Sequence, residues 1–469
     1  MAGQRLGEAE AGVVSAVSGD SKEAGTTSQL LQAFVLACGG RDEYRTALDE
    51  IYHSHMELAL DDGVGTYRTE VSKEIADLQR ICGSVRAVAS YDVGCAGSAS
   101  APAQRESHAM MLDQVLGSGE RLAAHALCAK LAEQGVAAKI VDLSHRCEQP
   151  DATLQPALFE RQLQKALCPF LSSEPLSHVV PVVTGFFGPV TGGLLASLGR
   201  GYTDFTAAAC ASAVKALKLQ VWKETGGVFT AHPRIVPEAR LLTTVSMDEA
   251  QELTYFGNAV LHAGAVPFLR AQRIPAEVKH TQAREMPGTW IYWDDDNVGF
   301  DFMEPALPVT AVCSMGPVDV LDICSTHNQS AAVFLAQIFS AFAEVGVAPE
   351  LVSTSVRNVS VVLGAGTSDT ERDTLTRCLK PDAHVSVRAG RGVVSCVGER
   401  MASCVGLAAE ACDVLAQKNI SIEMLSQSCA ENNMSFVVPN DSLTVAVRAL
   451  HQHFCEAPLL KTTYQVPLL

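Results

Sequence analysis

The sequence is poor in basic residues for its length. In 469 residues, 35 lysines and arginines stand against 52 aspartates and glutamates, which gives a formal net charge of −17. A surface dominated by negative charge repels phosphate backbones and anionic lipid headgroups. We therefore exclude nucleic acids and membranes as partners. A nucleotide is not excluded, because it needs only a local basic site.

Two sequence patterns are also missing. The fifteen cysteines include no paired Cys-x-x-Cys spacing, and the first twelve residues show neither an apolar signal segment nor a basic amphipathic targeting pattern. We therefore expect free thiols, a reducing compartment and a cytoplasmic location. The Gly-x-x-x-x-Gly-Lys-Ser/Thr loop is absent as well, so the chain is not a P-loop enzyme.

We predict no metal ligands. His53 and His55 are two residues apart on a predicted helix and point to different faces, which favours ordinary surface or core histidines. The acidic run 294–296 precedes prolines at positions 305 and 308. A solvated linker at a domain boundary explains that run better than a metal site.

The order of apolar patterns predicts an α/β protein of two or three domains. Helical patterns cover Leu30 to Ala37, most of Asp42 to Ile81, and Met110 to Gln134, with Leu48, Ile51, His55, Leu58 and Leu78 on inward faces. Ala137 to Leu143 then indicates a strand, and Val245 to Gly257 a further helix. After residue 306 a pattern of one strand, a helix and two strands occurs twice, beginning at Val318 and at Val393.

The stretch from Val179 to Arg234 carries the strongest functional signal. The run Val179 to Val183 predicts a buried strand of a parallel sheet, and Ala207 to Leu217 predicts a helix. Between them lie several glycines and the turn Gly199 to Asp204, where Thr203 is a candidate helix cap and Asp204 suits the helix dipole. Glycines at a strand-to-helix turn let backbone N–H groups approach an anion, which indicates a phosphate site.

This stretch has two other interpretations. On the glycines alone, a tight structural turn in an ordinary α/β domain is favoured over a phosphate site. A membrane span is excluded, because Pro181, Pro189 and four glycines interrupt the uncharged window before Leu198.

Three motifs occur here in order. They are Thr184-Gly-Phe-Phe-Gly-Pro-Val-Thr-Gly-Gly-Leu-Leu, Leu198-Gly-Arg-Gly-Tyr-Thr-Asp204 and Val221-Trp-Lys-Glu-Thr-Gly-Gly-Val-Phe-Thr-Ala-His-Pro-Arg234. They resemble the aspartate kinases (aspartokinases), in the fungal-type monofunctional form. The resemblance extends, with gaps, from about Val13 to Phe454.

The resemblance implies the architecture and the reaction. It implies an amino-acid-kinase domain, a mostly parallel sheet sandwiched by helices, over residues 1–305. Two ferredoxin-like ACT modules follow over residues 306–380 and 381–469. The implied reaction is the ATP-dependent and Mg²⁺-dependent phosphorylation of L-aspartate to 4-phospho-L-aspartate, at the start of lysine, threonine and methionine biosynthesis. Feedback by threonine or lysine through the ACT modules, and a homo-oligomer formed through them, are implied as well.

The same resemblance assigns roles to individual residues. Asp204 and Arg200 would be catalytic, with Arg200 also binding the α-carboxylate of aspartate. The remaining substrate residues would be Thr27, Glu120, Phe186 and Thr203, with Glu120 near the ammonium group. ATP would be bound by Lys223, Glu224, Phe229 and Arg234. The effector would lie near Gln329, Phe334, Leu335, Ser353, Thr354 and Ser355.

The sequence departs from the family pattern at three places. A first strand ending in Lys-Phe-Gly-Gly-Thr-Ser is missing before Val13, which would remove a phosphate-binding lysine and a central strand. The usual Asp-Pro-Arg reads His232-Pro233-Arg234, and Ala259 stands where many bacterial relatives have lysine. These departures keep open an alternative, in which the chain is a catalytically inactive regulatory homologue that binds amino acids.

Overall fold

The structure is a computed structural model. It describes residues 11–17, 25–58, 65–92, 101–144, 156–171, 179–190, 193–199, 201–255, 261–293, 307–327, 330–364, 366–427 and 432–456. Within these ranges, no helix is both long and apolar enough to cross a membrane. The chain forms two compact units, one of residues 1–219 and 262–274, the other of residues 220–261 and 275–469.

The helices of the described residues are numbered in chain order: α1 Thr26–Cys38, α2 Tyr44–Glu57, α3 Gly65–Asp92, α4 Ala101–Glu133, α5 Pro156–Leu171, α6 Leu194–Ser197, α7 Tyr202–Val214, α8 Met247–Tyr255, α9 Val266–Gln272, α10 Ala331–Val345, α11 Asp369–Leu379, α12 Leu407–Gln417 and α13 Asn440–His451. The strands are β1 Gly12–Val14, β2 Ala138–Val141, β3 Val180–Thr184, β4 Leu219–Lys223, β5 Val228–Phe229, β6 Leu241–Leu242, β7 Thr244–Ser246, β8 Ala276–His280, β9 Thr289–Tyr292, β10 Ala311–Ser325, β11 Pro349–Thr354, β12 Asn358–Leu363, β13 Ala383–Val397, β14 Met424–Ser426 and β15 Asn433–Pro439.

The first unit is built on a parallel sheet in the order β1-β3-β2. The predicted strand at Val179 to Val183 is confirmed as its central member, β3. The edge strand β1 pairs in parallel with β3, from Gly12 beside Val182 to Val14 beside Thr184. The loss of a further strand before Val13 stays a prediction, because residues 1–10 lie outside the described residues. Residues 6–21 contain no lysine or arginine.

Helices α1 to α4 share one apolar core in the first unit. Leu48, Ile51 and Leu78 are buried there, as predicted. Leu58 is 38% exposed, so its predicted inward position is wrong. His55 is buried beside Thr26, whereas His53 is exposed, in line with core and surface histidines. Residues 93–100, between α3 and α4, lie outside the described residues.

The second unit contains a mixed sheet in the order β4-β8-β9-β7 and a small hairpin of β5 and β6. Strands β7 and β9 are parallel, and β8 and β9 are antiparallel. The helix expected over Val245 to Gly257 starts later, because its first residues form β7 and α8 begins at Met247. The proposed acidic linker at 294–296 lies outside the described residues, as does Ala259.

The rest of the second unit is one antiparallel sheet in the order β11-β12-β10-β13-β15-β14. Strands β11, β12, β10 and β13 follow the ferredoxin-like order, with α10 and α11 packed on them. Strands β14, β15 and β13 form a second such module, and β10 is its fourth strand because Ala311 to Met315 pairs with Val393 to Val397. The two modules are therefore interleaved through two strands of 15 residues each.

One face of α10 packs on the sheet of the first module. Phe334, Ile338 and Phe342 are buried there, whereas Phe339 is 40% exposed. In the second module, Cys404 precedes α12, and β14 begins at Met424.

Candidate active site

The ends of two strands and the start of a helix meet at Gly185, directly after β3. Its N–H donates to the carbonyl oxygen of Val14 at the end of β1, at 2.9 Å. A Cβ at this position would lie 2.7 Å from Cγ2 and Oγ1 of Thr203 and 2.8 Å from that same carbonyl oxygen. Only glycine fits here, since such distances are far below van der Waals contact. The predicted strand–turn–helix stretch therefore converges on one point.

The N-terminus of α7 lies at this point. Its N-cap is Gly201, with φ of 93°, and no side chain caps the helix, so the prediction that Thr203 is a cap is wrong. Thr203 instead packs against Gly185, and Asp204 lies in the first turn, as predicted. The free N–H groups and the dipole of a helix N-terminus favour an anionic ligand or side chain.

The turn before α7 is held by His262, which the sequence did not single out. The backbone carbonyl of Leu198 can only accept, so His262 Nε2 donates to it at 2.9 Å, while Nδ1 accepts the N–H of Gly264 at 3.1 Å. The ring also lies beside Gly201, where an added Cβ would be 3.5 Å from it. Arg200, the candidate carboxylate ligand in this turn, lies outside the described residues.

Glu120 lies in the middle of α4, inside the helix predicted over Met110 to Gln134, so attraction to a helix N-terminus does not explain its position. It is 1% exposed, and its Oε1 accepts a hydrogen bond from the Tyr202 hydroxyl at 2.5 Å. Burial raises the pKa of Glu120 to about 7, while the Tyr202 hydroxyl opposes that shift. Oε2 has no hydrogen-bond partner among the described residues.

Two glycines let other elements approach α4 beside Glu120. A Cβ on Gly117 would lie 2.2 Å from the ring of Phe186, which is fully buried against it. A Cβ on Gly119 would lie 2.8 Å from the Cβ of Ala16, which follows β1, and 3.6 Å from Thr26 Cγ2. Thr27 is the next residue of α1 and is half-buried. The structure thus brings Phe186, Glu120 and the start of α1 to one region of the first unit.

Asp113, also on α4, holds the loop that follows β3. It is buried, and its carboxylate accepts the N–H groups of Val190 and Leu194 at 2.9–3.0 Å. Desolvation raises the pKa of Asp113, and these two backbone bonds act against the rise. An isolated aspartate within a helical pattern gives no sequence signal for such a role, because its partners are far away along the chain.

The four candidate ATP residues all lie in the second unit. Lys223 ends β4, Phe229 ends β5, and Glu224 and Arg234 are exposed in the turns that follow these strands. The turn before β5 requires Gly227, with φ of 143°, because a Cβ would lie 2.3 Å from Thr289 Oγ1. His232, which stands where the family pattern has aspartate, accepts the N–H of Arg234 at its Nδ1, at 3.2 Å.

The candidate effector residues surround the start of α10 and the β11–β12 hairpin. Ser330 caps α10 by accepting the N–H of Val333 at 3.3 Å. Phe334 faces the core, Leu335 and Ser353 are half-buried, and Thr354 and Ser355 are exposed. Gln329 lies outside the described residues. The described part of the chain also contains no group of three histidine, cysteine, aspartate or glutamate side chains that could hold a metal ion.

Comparison with known proteins agrees with this geometry. The model of the amino acid kinase family matches residues 16–280, and that of an ACT domain matches residues 394–454. The aspartokinase of Schizosaccharomyces pombe is 32% identical, over 95% of this chain and 86% of that protein. The aspartokinase of Saccharomyces cerevisiae is 32% identical, over 94% of this chain and 85% of that protein.

A solved structure shows the same fold. The crystal structure of E. coli aspartokinase III in complex with aspartate and ADP matches with a TM-score of 0.75 at 23% identity, over 95% of this chain and 92% of that chain. The fold and the two family matches thus define an amino acid kinase followed by ACT modules. Within that class, the chain belongs to the aspartokinase family.

Proposed function

We propose that the chain transfers the γ-phosphoryl group of ATP to the β-carboxylate of L-aspartate. One carboxylate oxygen forms a bond to the γ-phosphorus, the bond from that phosphorus to the β,γ-bridging oxygen breaks, and the products are 4-phospho-L-aspartate and ADP. The observation that carries the proposal is Glu120, a buried carboxylate with one unpartnered oxygen in an aspartokinase chain.

The first unit would bind the amino acid. Glu120 Oε2 would accept a hydrogen bond from the substrate's ammonium group, and Arg200 would pair with its α-carboxylate through the planar guanidinium. Thr27, Phe186 and Thr203 would line the pocket. Burial supports this assignment, since a buried carboxylate without a full set of partners is costly unless a ligand completes it.

The chemistry needs no strong base. The β-carboxylate of aspartate is already ionised near neutral pH, so catalysis depends on position and on charge neutralisation. Asp204 would orient the reacting groups and the metal-bound phosphates from the first turn of α7. Mg²⁺ is commonly held by one or two carboxylates together with substrate phosphates, and Asp204 would supply one such carboxylate.

The second unit would bind ATP. Lys223 and Arg234 offer cations for the phosphates, Phe229 an aromatic face for adenine, and Glu224 a hydrogen-bond acceptor. The tight turn at Gly227 and the hydrogen bond between His232 and the Arg234 backbone restrict the backbone conformation of this segment, as a binding loop requires.

Regulation is the second part of the proposal. We assign residues 1–305 to the kinase domain and residues 306–380 and 381–469 to ACT modules, with β10 and β13 contributing to both modules. An amino-acid effector would bind near Phe334, Leu335 and the segment from Ser353 to Ser355, with threonine favoured over lysine. The modules would also join copies of the chain into a homo-oligomer. The free cysteines among the described residues support a cytoplasmic location.

Thermal shift on the full chain tests the effector assignment. A ligand that binds only the folded state raises stability by RT ln(1 + [L]/Kd), about 2.7 kcal/mol at a hundred times Kd. Threonine should raise the melting temperature more than lysine does. A shift with lysine alone would overturn the preference for threonine, and no shift with either would overturn the effector site.

The alternative of an inactive amino-acid-binding homologue is not favoured, because the kinase-family match covers residues 16–280 and both fungal relatives are aspartokinases over most of their length. Measurement of ADP release with ATP, Mg²⁺ and aspartate decides between the two. Aspartate should stimulate ADP release, while asparagine, which lacks the β-carboxylate, should not. Aspartate binding without ADP release would support the alternative.

A further inference from the structure

Tyr202 connects the two elements that carry the candidate substrate residues. It is the first residue of α7, next to Thr203, and its hydroxyl reaches Glu120 on α4 at 2.5 Å. Tyr202 is 4% exposed and Glu120 is 1% exposed, so the bond is shielded from water. The carboxylate accepts and the phenol donates. In a dry environment a hydrogen bond to an ionised acceptor is stronger than one between neutral groups.

The other charged side chains near Glu120 have different hydrogen-bond partners. Arg121, the neighbour of Glu120 on α4, donates instead to Glu74 at 3.0 Å and to Ser118 at 2.7 Å. The Asp113 carboxylate accepts backbone N–H groups from the loop after β3. On the α1 side, Thr26 lies against the buried His55, whose pKa is lowered to about 4 by desolvation, so that ring is neutral. Among the described residues, Tyr202 is therefore the one side-chain donor to Glu120.

We propose that Tyr202 is a positioning residue for the amino-acid substrate. It occupies Oε1 of Glu120, fixes the plane of the carboxylate, favours its ionised form, and leaves Oε2 as the acceptor for the substrate's ammonium group. The inference rests on the proposed function, because it takes the ligand of Glu120 to be an amino acid.

The physical consequence is a pH dependence of substrate binding. A hydrogen bond to the charged form of an acid favours that form. The Tyr202 hydroxyl thus counteracts the burial that raises the pKa of Glu120 to about 7. Without the hydroxyl, that pKa rises further, and Glu120 is mostly neutral at pH 7. A neutral carboxyl group attracts an ammonium ion weakly, while raising the pH restores the charge.

The test compares Tyr202→Phe with a matched control, Tyr67→Phe. Tyr67 is also 4% exposed, and its hydroxyl donates to the backbone carbonyl of His55 at 2.9 Å in the helical core. Both changes remove one buried phenol oxygen. The quantities measured are kcat and the KM values for aspartate and ATP from pH 6 to pH 9, with melting temperatures as a check on folding.

Tyr202→Phe should raise the KM for aspartate roughly tenfold at pH 7, and the increase should shrink towards pH 9. The KM for ATP should not change, and Tyr67→Phe should leave the aspartate profile as in the wild type. An increase that is equal at all pH values, or no increase, would overturn the proposal. If the wild type itself shows no aspartate-dependent ADP release, the proposed function fails instead, so the two failures are distinguishable.

A double-mutant cycle with Glu120→Gln tests whether Tyr202 acts through the charge of Glu120. Glu120→Gln removes the charge that Tyr202 serves and leaves an oxygen in place. If Tyr202 acts through that charge, adding Tyr202→Phe to Glu120→Gln should change the aspartate KM less than twofold. A full tenfold further increase, as for two independent sites, would contradict the proposal.

Discussion

His451 Nε2 lies 2.8 Å from Thr230 Oγ1, and both side chains are buried. The Glu456 carboxylate accepts a hydrogen bond from Nδ1–H of His451 at 2.9 Å, so Nε2 is the acceptor nitrogen. The Thr230 hydroxyl donates its proton to Nε2 and accepts the N–H of Arg240 at 3.0 Å. Thr230 directly follows Phe229, and its carbonyl accepts the N–H of Val312 in β10 at 2.8 Å. Helix α13 and strand β10 of the ACT region thus contact the segment around Phe229 that is proposed to bind ATP.

A first prediction concerns this contact. His451→Ala leaves the buried Thr230 hydroxyl without its acceptor, which should cost about 1–3 kcal/mol of stability and raise the KM for ATP more than that for aspartate. The control is His453→Ala, since His453 is partly exposed and pairs with Glu410 at 3.2 Å. Denaturant unfolding and steady-state kinetics measure both effects. Equal effects of the two substitutions would mean that the Thr230 contact has no special role.

A second prediction concerns Gly185. Gly185→Ala places a methyl group 2.8 Å from the Val14 carbonyl oxygen and 2.7 Å from Thr203, so β1, β3 and α7 must move apart. Overpacking of this kind costs about 1–3 kcal/mol and should also lower kcat/KM for aspartate. Gly12→Ala in β1 is the matched control, because its Cβ would meet only Leu127 at 3.9 Å. If Gly185→Ala and Gly12→Ala have the same unfolding free energy and the same kinetics, the packing at Gly185 does not require glycine.

A third prediction separates catalysis from stability at Asp204. A first-turn acid contributes only about 0.3–1 kcal/mol through the helix dipole, so Asp204→Ala should melt close to the wild type yet lose turnover. Asp248→Ala is the comparison, since Asp248 is also an acid in the first turn of a helix, α8. Calorimetry and the ADP-release assay measure the two properties. A large fall in melting temperature without a specific loss of kcat would make Asp204 structural.

A fourth prediction follows from the pKa of Glu120, which burial raises to about 7. A carboxyl group whose pKa is higher in the folded state favours folding while it is protonated, and this contribution is lost as the pH rises through the folded value. Between pH 5 and pH 8, the wild type should therefore lose up to roughly 3 kcal/mol of unfolding free energy relative to Glu120→Gln. Unfolding in urea at both pH values measures the difference. If the unfolding free energies of the wild type and Glu120→Gln change in parallel with pH, the pKa of Glu120 is the same in the folded and the unfolded chain.

The sequence predicted what depends on neighbouring residues. The apolar run before Gly185 and the alanine-rich segment after Asp204 define β3 and α7 by local pattern, and the motifs between them are specific enough to indicate the family. The placement of Asp204 in the first helical turn also follows from local order.

The sequence could not predict relationships between distant residues. Tyr202 and Glu120 are 82 positions apart, and no spacing rule connects them. Strand β1 has only three residues and is defined by its pairing with β3, not by its own pattern. In the same way, β10 and β13 belong to both modules because they pair with each other across about 70 residues of chain. The order of strands and helices along the sequence does not show this pairing.

Trapping the acyl phosphate tests the central claim most directly. Hydroxylamine converts an acyl phosphate to a hydroxamate, so the chain incubated with ATP, Mg²⁺, L-aspartate and hydroxylamine should form aspartate β-hydroxamate in equal amount to ADP. Asp204→Ala, assayed in parallel, should form neither product. ADP that accumulates without hydroxamate, or no ADP at all from the folded wild-type protein, would contradict the assignment of this chain as an aspartate kinase.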